Sequence, residues 1–173
     1  MKQKILLVLI FAVQITIGQT TTRKFGMGPE YKKEIDSLTL LIKKSPDSAS
    51  YYYERSFRIF LFNLQNPQQK VSFKIPDAYK DINKAILLKP NDSKYYSKRA
   101  EFYGSQDSLK QAISDFTKSI ELSPTNGDLY GKRADIYTQN KEYDKACADY
   151  KKGKELGDKK CKNIIAIGFN GCK

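Results

Sequence analysis

The chain repeats itself, and the spacing of that repetition limits what it can fold into. Three segments line up in register: Ser50-Tyr51-Tyr52-Tyr53-Glu54-Arg55-Ser56, Lys94-Tyr95-Tyr96-Ser97-Lys98-Arg99-Ala100 and Asp128-Leu129-Tyr130-Gly131-Lys132-Arg133-Ala134. Each leads into a second block, Ala78 to Pro90, Ala112 to Pro124 and Ala146 to Gly157. Tyr96 to Tyr130, Ala78 to Ala112, Ala112 to Ala146 and Pro90 to Pro124 are all steps of 34 residues. A period in this range marks a stack of supersecondary units, each hiding its apolar face only against its neighbours. Pro90 and Pro124 lack an N–H and stop the second helix of a unit. Asn91-Asp92 and Thr125-Asn126 then supply turn and cap chemistry for the next one.

The pattern resembles the tetratricopeptide repeat (TPR) over about residues 30–170. In the second unit it falls on Tyr96, Ala100, Tyr103, Ala112, Phe116, Ser119 and Pro124. In the third it falls on Tyr130, Ala134, Tyr137, Tyr143, Ala146, Tyr150 and Gly153, with Gly157 where Pro would stand. In the first it falls on Tyr52, Ser56, Ile59, Ala78, Ile82, Ala85 and Pro90. The resemblance implies an all-α helical-hairpin repeat solenoid of about three TPR units plus capping helices. Small residues at Ala100, Ala112 and Ser119 let the helices of a unit approach closely, while Tyr96, Tyr103 and Phe116 fill the space between units.

The expected organisation is a leader at 1–18, a flexible lead-in at 19–29 and an N-terminal cap helix at 30–47. Units follow at 48–92, 93–126 and 127–157, with a C-terminal cap at 158–173. The first unit departs from the pattern, because ten extra residues separate its two helices. Their expected place is an inserted loop at 63–76, where two prolines and several amides favour irregular backbone. Such a loop either carries recognition or is neutral length variation. The cap helix has Ile35, Leu38, Leu41 and Ile42 on one face, and Pro46 follows it as Pro90 follows the first unit. It reads as a half-repeat.

The leader has Lys2 and Lys4, then an apolar run from Ile5 to Ile17 and small or polar residues after it. This is the layout of a secretory signal peptide, and the run is too short to span a bilayer. Export, to a periplasm or to the outside, is the expected localisation, with no membrane span once the signal is removed. Export also changes how the formal charge of +12 is read. Nucleic acid is not the expected partner of an exported basic protein. The charge either keeps a helical surface solvated or meets an anionic envelope polymer or lipid head groups, through Lys110, Lys118, Lys151, Lys152 and Lys154.

The chain has no His and only three Cys. That excludes a Ser-His-Asp triad, a Cys-His pair and a four-ligand Cys/His zinc site. No phosphate-binding Gly-x-x-x-x-Gly-Lys run occurs, and the acids are scattered singly on helices. No enzyme activity, cofactor or metal is expected. In an oxidising compartment two cysteines pair and one is left over. Three single bridges are possible. Cys147 lies at the repeat position of Ile113, on the side facing the next helix, and the far end of an antiparallel terminal helix returns to that level. The expected bridge is therefore Cys147–Cys172. The resemblance adds that similar exported bacterial repeat proteins often end with a Cys in this place. Cys161 is left free or pairs with another molecule.

Two charged residues also recur: Arg55, Arg99 and Arg133 at one repeat position, Asp81, Asp115 and Asp149 at another. A ladder of framework Arg–Asp pairs is expected, against the sharper reading of a ligand-binding Arg row. The resemblance places the first helices on the inner face of the stack. Its groove positions fall on Ser50, Tyr53, Phe57, Phe60 and Leu61, then Lys94, Ser97, Glu101 and Ser105, then Asp128, Gly131, Asp135, Thr138 and Gln139. The expectation is a non-catalytic scaffold or adaptor that takes a protein or peptide partner on this concave face, with Tyr53, Phe57, Phe60, Glu101 and Asp135 as contacts; the three aromatics either anchor that partner or pack against the cap helix or the inserted loop. One end of the groove reads as aromatic, the other as acidic.

Overall fold

The computed structural model describes residues 28–65, 74–169 and 172. Among them are eight helices and no strand: α1 (Gly28–Lys44), α2 (Ala49–Gln65), α3 (Ile75–Leu88), α4 (Ser93–Ser105), α5 (Leu109–Leu122), α6 (Gly127–Gln139), α7 (Tyr143–Glu155) and α8 (Lys159–Ala166). Each helix packs on the next in the chain, so α2–α3, α4–α5 and α6–α7 form three successive hairpins. The leader and most of the lead-in lie outside the described residues. α1 starts at Gly28, two residues before the expected boundary.

The helix ends follow from local chemistry. Asp92 accepts from the Lys94 amide at 3.2 Å and Asn126 from the Asp128 amide at 3.2 Å, which satisfies otherwise unpaired first-turn donors. Helices α3 and α5 stop at Leu88 and Leu122, two residues before Pro90 and Pro124. The turns inside the second and third hairpins each need one left-handed residue, Asp107 (φ 56°) and Lys141 (φ 61°), again 34 apart. The inserted residues of the first hairpin are not all loop. α2 runs through Gln65 and α3 begins at Ile75, so both helices claim part of 63–76. Residues 66–73 lie outside the described set. Asp77 caps α3 by accepting from the Lys74 amide at 2.7 Å.

The small residues sit where helices approach most closely. Ser56, Ala78, Ala100, Ala112, Ala134 and Ala146 are all fully buried. Aromatic rings fill the gaps between hairpins: Phe60 stacks on Phe102 at 4.1 Å, and Tyr79 meets Tyr103 at 5.0 Å.

The recurring charges form the expected ladder. Each Arg makes a two-pronged bond to the Asp of its own unit, with distances of 2.6–2.9 Å across Arg55–Asp81, Arg99–Asp115 and Arg133–Asp149. The third donor reaches back to the preceding unit: Arg55 to Thr39 (3.1 Å), Arg99 to Asn83 (2.7 Å) and Arg133 to Thr117 (3.0 Å). Every rung thus ties one hairpin together and joins it to the previous one. These guanidinium groups are occupied by framework partners, which removes the reading of a ligand-binding row.

That third bond also explains α1. Thr39 receives Arg55 just as Asn83 and Thr117 receive the later arginines, so α1 takes the place of a second helix relative to the first hairpin. Where α4 and α6 bury Phe102 and Ile136 against the preceding first helix, α2 carries Arg58, which pairs with Glu34 and, at 3.7 Å, with Glu54.

Candidate partner-binding face

The first helices of successive hairpins touch one another, whereas the second helices do not make comparable contact. Phe60 on Phe102, Tyr53 on Tyr95 (5.2 Å) and Lys132 on Glu101 (2.9 Å) all run between first helices. A stack that is tighter on one side curves toward it, so α2, α4 and α6 line the inner face.

The residues expected on that face divide into three groups. Tyr53 and Phe57 are half-buried and stay accessible. Burial, reinforced by Glu54 and Glu101, raises the Tyr53 phenol above its ordinary range. Ammonium groups stand over both rings. Lys98 Nζ lies 4.3 Å from the Phe57 centroid, and Lys94 Nζ lies 5.4 Å from Tyr53. Such contacts are worth roughly 0.5–1 kcal/mol at exposed sites.

Phe60 is a correction. It is 5% exposed and stacked on Phe102, so it belongs to the core and offers nothing to a partner. Ser97 and Gly131, also groove positions by resemblance, are buried as well.

Glu101 and Asp135 are on the face but are not free carboxylates. Glu101 accepts from Lys98 and from Lys132 at 2.9 Å, and Lys132 also holds Asp128 at 2.9 Å. Burial pushes the Glu101 carboxyl up, but the two lysine bonds outweigh it and hold the group below its ordinary value. Asp135 accepts from the Tyr150 hydroxyl at 2.7 Å and from Lys160. The far end of the groove is therefore a line of alternating charges rather than an acidic patch. Sequence reading misses Lys98, Lys132 and Lys160 as its components.

The cysteines gather at the C-terminal end. Cys147 and Cys172 are joined by a disulfide, with Cα atoms 5.2 Å apart. Cys161 is free and fully buried. Its sulfur occupies a notch that two glycines leave open: a Cβ at Gly153 would fall 2.5 Å from it and one at Gly131 2.8 Å. Burial, with the neighbouring Asp158 adding to it, pushes the thiol up to about 12. A thiol so placed is shielded from other molecules and holds little thiolate at neutral pH.

On the outer side, Lys110, Lys118, Lys151, Lys152 and Lys154 are exposed. Lys118 and Lys152 are engaged with Glu121 (3.0 Å) and Glu155 (3.1 Å). Among the described residues no Asp, Glu, His and Cys group is placed to hold a metal, and no helix is long and apolar enough to cross a membrane.

Comparison with known proteins agrees with this architecture. Tetratricopeptide repeat models match residues 93–126 and 116–148. No curated protein matches the chain. Among solved structures, a crystal structure of MamA aligns with a TM-score of 0.67 at 19% identity, covering 83% of this chain and 79% of that one. A thermophilic TPR protein of Thermus thermophilus, TTC0263, gives 0.64 at 16% identity, covering 77% and 70%. The Arabidopsis OM64 TPR domain gives 0.58 at 20% identity, covering 69% and 93%. Residues 93–148 thus carry tetratricopeptide repeats, set in an all-α helical-hairpin solenoid.

Proposed function

We propose that the chain is a non-catalytic interaction scaffold in an exported compartment, periplasmic or secreted, that takes a peptide or partner helix on its inner face. One observation carries the choice of face: Tyr53 and Phe57 are left accessible there, side by side on α2, with the amines of Lys94 and Lys98 above them. Aromatic residues are enriched at the cores of interfaces, and Tyr is among the residues that most often dominate binding energy. Glu101 and Asp135 are the polar contacts further along. Because their lysines already neutralise them, they set register more than affinity. Export is supported by the leader-like start and by a disulfide of the kind that persists in oxidising compartments.

A second reading has its own observation. Lys110, Lys151 and Lys154 are exposed and carry no ion pair among the described residues, which leaves their charge available to an anionic polymer or lipid head groups. One experiment separates the two. Binding of the isolated partner is measured for the parent and for Tyr53→Ala/Phe57→Ala, at low and high salt. The scaffold reading expects each truncation to cost about 2 kcal/mol, or roughly thirtyfold in Kd, with little salt dependence. Binding that survives the double substitution and collapses with salt moves the site to the lysines.

A further inference from the structure

Cys147 occupies the repeat position of Ile35, Tyr79 and Ile113. In the first hairpin Tyr79 uses that position to pack on Tyr103 of the following first helix. The first helix that follows Cys147 is α8, which ends at Ala166 before it reaches the matching residue. Cys172 supplies the contact instead, as a covalent bond. The last joint of the solenoid is therefore a disulfide where the internal joint is side-chain packing.

Three things depend on α8 staying in place. Cys161 lies on it and is sealed in the Gly131–Gly153 notch. Lys160, also on it, neutralises Asp135 on the inner face. Phe169, just after it, sets its ring against Tyr150 at 5.1 Å. A helix of eight residues is not stable alone, so α8 persists through these attachments and the bond that anchors its far side.

We propose that Cys147–Cys172 is a redox latch whose reduction releases α8, exposes the Cys161 thiol and frees Asp135 from Lys160. The step is a thiol–disulfide exchange with a dithiol reductant. One thiolate of the reductant attacks a latch sulfur and forms a mixed disulfide; its second thiol displaces the protein. Two electrons and two protons pass to Cys147 and Cys172, and the reductant leaves as its own disulfide. Cys161 is not oxidised in this step; it becomes accessible, and relief of the burial that raises its thiol returns it toward the ordinary thiol range. The latch stands on its own geometry, whichever face binds the partner. Its consequence for that face is that the Asp135 carboxylate loses its Lys160 countercharge when the latch is open.

The test is the rate at which iodoacetamide alkylates Cys161, read by peptide mass, together with hydrogen exchange along the chain. Protein isolated without reductant is compared with the same protein after dithiothreitol treatment and anaerobic desalting, and with Cys147→Ser/Cys172→Ser and Cys147→Ala/Cys172→Ala. The latch predicts one slow free thiol in the oxidised protein. It predicts alkylation of Cys161 at least tenfold faster in the other three samples, with faster exchange confined to about residues 156–169. Cys161 equally slow after opening would mean that packing alone holds α8, and equally fast before opening that α8 never seals it. Three free thiols in the unreduced protein would remove the latch altogether. Faster exchange spreading through α2 to α6 in both double variants would make the bond a staple of the whole stack, which also overturns the proposal.

Discussion

Arg99→Ala isolates the ladder that holds the hairpins in register. Arg99 makes two bonds to Asp115, at 2.7 and 2.8 Å, and a third to Asn83 of the preceding hairpin at 2.7 Å. The side chains are 21% and 9% exposed, so the Asp is nearly buried and the Arg is only partly wet. An exposed ion pair contributes about 0.2–1 kcal/mol. Removing one member of a buried pair costs about 3–5 kcal/mol, mostly because the other charge is stranded. The partial exposure of Arg99 discounts the upper figure, and Arg99→Ala is expected to cost about 2–4 kcal/mol. Urea unfolding followed by far-UV circular dichroism measures it by linear extrapolation. Arg99→Met/Asp115→Leu, which strands no charge, should recover to within about 1 kcal/mol of the parent. Arg58→Ala is the control, because Arg58 and Glu34 are 28% and 41% exposed, and it should cost less than about 1 kcal/mol. A loss below about 0.5 kcal/mol for Arg99→Ala would place the rung among ordinary surface pairs and defeat the ladder as a stabilising device. A double variant no better than the single one would do the same.

Other expectations follow from the same contacts. Gly153→Ala puts a Cβ 2.5 Å from the Cys161 sulfur and should destabilise by about 1–3 kcal/mol in the same unfolding assay. Adding Cys161→Ala should recover only part of that, because the Gly127 carbonyl remains 3.0 Å away. Glu101 is held below its ordinary value of 4.5, so its contribution is complete above that pH and disappears as pH falls through the lowered folded value. Glu101→Gln should therefore flatten the acid limb of the stability profile below about pH 4.5 and leave its slope near neutrality unchanged. Asp158→Ala removes the carboxylate that accepts from the Cys161 amide at 2.7 Å, and should cost about 1 kcal/mol with faster hydrogen exchange concentrated in α8.

The fold is largely legible in the sequence because its information is periodic. A step of 34 residues places Ala100 opposite Ala112, Arg99 beside Asp115 and Pro124 after α5 without any coordinates. The same offset sets Cys147 facing the chain's returning end. What the period hides is where one unit differs from the others. Phe60 looks like a groove residue at its repeat position, but Phe102 in the next hairpin supplies a ring for it to stack on and draws it into the core. The far end of the groove reads as acidic for a related reason. Lys98 is a helical neighbour of Glu101, but Lys132 and Lys160 reach Glu101 and Asp135 only once the chain folds back, so those two countercharges are not near them in sequence. The buried Cys161 does leave a trace: Gly131 and Gly153 replace Ser97 and Ser119 of the preceding unit, and the room they leave holds the sulfur. The inserted residues escape composition, since prolines and amides mark irregular backbone without saying how far α2 and α3 extend into it.

Whether the inner face of the stack is the binding surface can be read by site-specific photo-crosslinking in the producing cell. A photoreactive residue is placed at Ser105 or Gln139 on the first helices, and at Ser114 or Glu121 on the outer side, all of them exposed. Binding on the inner face predicts one crosslinked partner from Ser105 and Gln139, lost on adding Tyr53→Ala/Phe57→Ala, and none from Ser114 or Glu121. Crosslinks from the outer positions that persist in the double variant would contradict it and transfer the function to the lysine-bearing side.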